Sequence, residues 1–102
     1  MKTIKGIFKT REVFIDDKPL SPVSSQKLRN HSPDGFGWGY SGSGPAQLSL
    51  ALLFHFTRDE KFSLSHYHDF KNEIVANLKP DFVLPVADIE KWIFNKTCKE
   101  NI

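Results

Sequence analysis

The sequence predicts an α+β fold with an N-terminal β-hairpin, a long Gly-rich loop, a buried central helix, and two further amphipathic helices with a short extended segment between them. Three features predict it. β-Branched and aromatic residues gather in two short runs near the start, five of the six glycines fall at positions 35–44, and most of the chain after Pro45 has helical periodicity.

In the hairpin, Ile4, Ile7 and Phe8 form one run and Val13, Phe14 and Ile15 the other, with Lys9-Thr10-Arg11-Glu12 between them. Asp16-Asp17-Lys18-Pro19 supplies turn formers and a proline that cannot donate to a ladder, so the second strand is expected to stop near Ile15. From Ser21 to Gly44 polar residues, Gly and Pro dominate, with Phe36, Trp38 and Tyr40 as the aromatic exceptions. No period is countable there, and the segment reads as one long loop. Loops beyond about 12 to 15 residues in compact domains are usually functional or disordered, and the aromatics argue against disorder.

Three helices follow. Leu48, Leu50, Ala51, Leu52, Leu53, Phe54 and Phe56 point in every direction around a helix, the pattern of an element covered on all sides. Tyr67, Phe70, Ile74, Val75 and Leu78 give a second helix one buried stripe, with Ser63 or Ser65 as its cap and Lys79-Pro80 as its stop. Asp81 to Pro85 is expected to be extended. A last helix, Ala87 to about Lys96, turns Ile89, Trp92, Ile93 and the stem of Lys96 inward and sets Asp88 and Glu90 at its positive N-terminal end.

Composition bounds the function. At 102 residues with 39% hydrophobic and 13% aromatic content, the chain is expected to form a single domain with a core of its own, not a disordered tail. Fourteen Lys plus Arg against twelve Asp plus Glu leave a net charge of +2, too small to suggest nucleic acid as a partner. No stretch approaches the roughly 20 apolar residues of a membrane span, so no membrane partner is expected. The start shows no secretory pattern, and a single cysteine, Cys98, excludes an internal disulfide framework and a Cys-based zinc site; a cytoplasmic location is expected.

The Gly-rich loop feeds directly into a helix. Pro45 suits the first helical position, Gly44 or Ser43 the cap, and Gln47 the reaching partner of a capping box. A helix N-terminus carries about half a positive charge and unpaired N–H groups, which suits a phosphate. Arg29 and His31 add charge, Ser41 and Ser43 offer hydroxyls, and Trp38 or Tyr40 offers a flat face for a base. The candidate ligand-binding set is therefore Arg29, Asn30, His31, Ser32, Trp38, Tyr40, Ser41, Gly42, Ser43, Gly44 and Gln47. Pro45 after Gly44 departs from the Gly-Lys-Ser/Thr of a phosphate-loop hydrolase. Gly37-Trp38-Gly39-Tyr40-Ser41-Gly42 matches the dinucleotide spacing by letters but follows no expected buried strand. The competing reading is structural: glycines let the loop fold tightly, with Phe36, Trp38 and Tyr40 as packing pegs.

Asn30-His31-Ser32-Pro33-Asp34-Gly35-Phe36, followed by Trp38-Gly39-Tyr40 and Gly42-Ser43-Gly44-Pro45-Ala46-Gln47-Leu48, resembles a family of small uncharacterised bacterial, phage and mobile-element proteins that share a domain of unknown function. The resemblance is sharpest over residues 30–54 and extends more loosely through Tyr67, Phe70-Lys71 and Ile89 to Trp92. It implies that the motif defines these proteins, and it brings no activity with it. Ser41 stands where that family usually has glycine and Ser49 where it has alanine; the Ser49 hydroxyl is expected to bond back to the Pro45 carbonyl.

His31, His55, His66 and His68 lack metal-ligand spacing, so neither a metal nor a cofactor is expected. Ser43, His31 and Asp34 are the only catalytic set on offer, and nothing in the sequence places a base beside the hydroxyl. The leading expectation is a non-catalytic module binding a phosphorylated small molecule or nucleotide, by analogy a nucleotide signal in phage–host conflict. The alternatives are a protein-interaction or inhibitor module using Phe36, Trp38 and Tyr40, and an enzyme of unknown reaction. The aromatic content and an open hairpin edge also suggest a homodimer.

Overall fold

The computed structural model describes residues 2–100 and has the expected α+β architecture. Strands β1 (Thr3–Ile7), β2 (Glu12–Ile15), β3 (Lys18–Pro19) and β4 (Phe82–Pro85) form one antiparallel sheet in the order β3-β2-β1-β4. The helices are α1 (Val23–Leu28), α2 (Ser43–Thr57), α3 (Glu60–Glu73) and α4 (Val86–Glu100), with a 3-10 turn at Val75–Asn77.

The hairpin pairs Ile4 with Ile15 and Ile7 with Glu12. The second strand ends at Ile15 as expected, and the chain then turns back through Asp16 and Asp17, whose φ values of 53° and 67° make a two-residue turn of the type that matches strand twist. This turn gives the unforeseen edge strand β3. Pro19 lies on an outer edge, where its missing N–H removes no ladder bond, and Leu20 N–H donates to Val13 C=O at 2.8 Å. The extended segment foreseen at 81–85 joins the opposite side of β1, Ile4 facing Leu84 and Gly6 facing Phe82. Gly6 is required there, because the Phe82 ring lies in the space that a Cβ would take.

Residues 21–44 are not one loop. Ser21 Oγ accepts from Val23 N–H at 3.2 Å, and α1 follows with Ser25 buried. Six residues are too few to display a countable period, and tertiary contact with α2 holds the helix in place.

α2 is the central helix: every residue from Gly44 to Leu53 is buried. It ends at Arg58 in a left-handed conformation, φ 54°, and α3 folds back along it. The α3 cap is Asp59, not Ser63 or Ser65: its carboxylate accepts from Phe62 N–H at 3.0 Å, and Ser63 is instead a buried residue one turn into the helix. α3 stops at Glu73, so Val75 packs from the 3-10 turn and not from a longer helix. In α4, Ile89 and Trp92 are buried and Ile93 is half-buried, as their spacing predicts. One hydrophobic cluster unites these faces with Ile4 and Val13 of the sheet. No helix among the described residues is long and apolar enough to cross a membrane.

Candidate functional site

The segment that connects α1 to α2 divides into two parts with different chemistry.

The first part, residues 29–32, is organised by Gln47, which is fully buried in α2. Its Oε1 accepts from His31 N–H at 2.8 Å and Ser32 N–H at 3.0 Å; its Nε2 donates to Ser25 Oγ at 2.9 Å and Arg29 C=O at 3.2 Å. Both donors and both acceptor positions of the carboxamide are thereby used. Gln47 is a clamp from helix to loop, not a capping-box partner and not a free ligand donor. The clamp presents His31 to α3, where its Nε2 lies 2.7 Å from the hydroxyl of Tyr67, which is buried. The His68 ring is 6.2 Å from that of His31. Burial, then Arg29, His68 and Lys71 in turn, lower the pKa of His31 below its usual 6.5.

The second part, residues 36–44, is organised by rings and glycines. Phe36, Gly37 and Trp38 are buried, and Trp38 Nε1 donates to the carbonyls of Lys79 at 3.1 Å and Pro80 at 2.8 Å. Its ring meets Phe82 edge-on with centroids 5.1 Å apart. Trp38 therefore offers no face to a ligand and serves as the packing peg of the competing reading. Gly39, with φ 81°, donates to Val75 C=O at 3.0 Å and ties the loop to the 3-10 turn. Gly37 and Gly44 bring their backbones into contact: a Cβ on Gly44 would lie 2.8 Å from the Gly37 nitrogen. Tyr40 is 52% exposed, yet its hydroxyl lies against both glycines and its ring against Gly42.

The helix begins at Ser43, two residues before Pro45, the expected first helical position. Gly42 occupies the cap with no side-chain bond, and Ala46 N–H makes the first bond back to Gly42 C=O at 3.0 Å. Pro45 is thus the third helical residue, where its missing N–H removes no ladder bond. Ser49 Oγ donates to Pro45 C=O at 2.8 Å, as expected. Of the expected binding residues, Arg29, Asn30, Tyr40, Ser41 and Ser43 are exposed; His31, Ser32 and Gly42 are half-buried; Trp38, Gly44 and Gln47 are in the interior. Tyr67, His68 and Lys71 were missed: they lie on a separate helix, and no spacing in the sequence links them to His31.

Among the described residues, no group of three or more His, Cys, Asp or Glu is arranged to hold a metal ion. Residues 1–95 match the model of a family described as Family of unknown function (DUF6166), and the chain belongs to that family. No curated protein and no solved structure matches the chain.

Proposed function

We propose that the chain is a small non-catalytic binding module that holds a phosphorylated small molecule or nucleotide beside residues 29–32, at the seam between that loop and α3. The observation that carries this reading is the set of cations around His31. Arg29 on the loop and Lys71 on α3 both act on its ring, and the His68 ring stands 6.2 Å from it. Like charges brought together from two segments repel, and a bound anion relieves that repulsion. The reading is non-catalytic because His31, the loop's candidate base, has Nε2 engaged with the Tyr67 phenol. A nucleotide signal in phage–host conflict is the ligand that the motif's resemblance adds, by analogy.

The interaction-module alternative has less support, since Phe36 and Trp38 are buried and only Tyr40 of its three rings is exposed. Calorimetric titration with inorganic phosphate, pyrophosphate, AMP and a cyclic dinucleotide tests the proposal. At least one should bind, more weakly as salt rises, and Lys71→Glu should reduce its affinity by about ten-fold or more. No heat and no thermal shift with any of the four removes the reading.

A further inference from the structure

A separate cavity of about 470 Å³ lies where the C-terminal half of α2 meets β3 and residues 20–25. We infer that it binds a small organic anion with an apolar body, of the aryl or medium-chain alkyl carboxylate class.

The cavity follows from the composition of α2. That helix is apolar all round and buried through Leu53, yet its last apolar residues, Phe54 and Phe56, are only half-buried and line the cavity together with Ile15, Leu20 and Ala51. A helix of this composition requires cover on every side. Here the cover stops, and the exposed ring surface faces a space within the usual small-molecule range of about 300 to 1,000 Å³.

The rim supplies the charge. Lys2, Lys18 and Arg58 border the cavity against a single carboxylate, Asp16. Arg58 is fixed at the left-handed end of α2, with its guanidinium 5.9 Å from the centre of the Phe54 ring, so a cation stands directly over apolar wall. His55 also borders the space; burial and then Arg58 hold its pKa below 6.5, which leaves a neutral imidazole among the rim groups. The lining hydroxyls are largely committed: Ser21 accepts from Val23 N–H, and Ser25 bonds to Pro22 C=O and Gln47. A carboxylate on a hydrocarbon or aryl body matches both the cationic rim and the apolar floor.

The test is calorimetric titration of the full chain with decanoate, 2-naphthoate and the uncharged decanol, with thermal melts to verify folding. Decanoate or naphthoate should bind, and decanol should bind about ten-fold more weakly than decanoate. Lys18→Glu, on an exposed edge strand, should weaken the anions by a similar factor. Ser24→Trp, on the exposed side of α1 and bordering the cavity, should block them; if either variant fails to fold, the other and the decanol comparison decide. Lys71→Glu, which strikes the loop cluster, should leave this binding unchanged. Absence of binding by both carboxylates, equal binding of decanol and decanoate, indifference to both cavity variants, or loss of binding in Lys71→Glu would each overturn the assignment.

Discussion

The two parts of the segment before α2 are fixed by opposite means. Residues 29–32 hang from one buried carboxamide and leave the Arg29 side chain at the surface; residues 36–44 are fastened by a buried indole and by glycine backbones in contact. Hydrogen bonds from a single side chain hold a loop while sparing its own side chains for other work. Ring packing and close backbone approach consume the residues that make them. The glycine cluster that dominates the sequence is thus chiefly a packing device, and the charge that suits a ligand gathers in the plainer stretch upstream.

Substitutions that uncouple the two parts test this contrast. Trp38→Ala should have the largest effect, destabilising by about 3 to 5 kcal/mol through loss of a fully buried ring. Hydrogen exchange should show residues 36–44 loosening before 29–32; simultaneous loosening would break the distinction. Gln47→Leu should cost about 2 to 3 kcal/mol in chemical denaturation, because it leaves the Ser25 hydroxyl and three loop backbone groups without their partner. Its signature is the reverse, with exchange rising at 29–32 while Trp38 fluorescence stays native.

Gly44→Ala sets two effects against each other. Alanine favours a helix by about 1 kcal/mol over glycine. The new Cβ, however, would lie 2.8 Å from a backbone nitrogen that has no rotamer with which to yield, so a net loss of about 1 to 2 kcal/mol is expected in thermal melts. Net stabilisation would show that the Gly37 and Gly44 contact is slack.

The smallest effect concerns pH. His31 and His55 both have folded-state pKa values lowered chiefly by burial from an ordinary value of 6.5. Below that pH the unfolded chain binds protons that the folded chain still refuses, so stability is complete above it and declines as the pH falls toward the folded values. Denaturant midpoints between about pH 8 and 5 should follow that course, and His31→Gln should flatten the slope. An unchanged slope would mean that neither burial nor the neighbouring cations lower the His31 pKa.

Much of this architecture was readable from residue order. The all-round apolar run at 48–56 specified a covered central helix, the spacing of Ile89 and Trp92 specified the inner face of α4, and the β-branched and aromatic run Val13-Phe14-Ile15 specified a strand. These are local patterns, because periods of 3.6 and 2 are written along the chain. The cap of α3 was also local but misassigned: Asp59 and the serines compete for one role, and the left-handed residue at Arg58 decides where the new helix begins.

The site was much less legible. Arg29 and His31 were singled out, yet the partners that give His31 its character come from α3, and the role of Gln47 depends on α1, a helix too short to announce itself. The sequence by itself determined the kinds of element, the identity of the central helix and the crowding of glycine before it. Only the tertiary structure decided that Trp38 faces inward, that one amide holds a loop, and that His31 is set against Tyr67 of α3. The physical reason is that burial and electrostatic fields are properties of proximity, and proximity between residues tens of positions apart is set by packing, which no local period encodes.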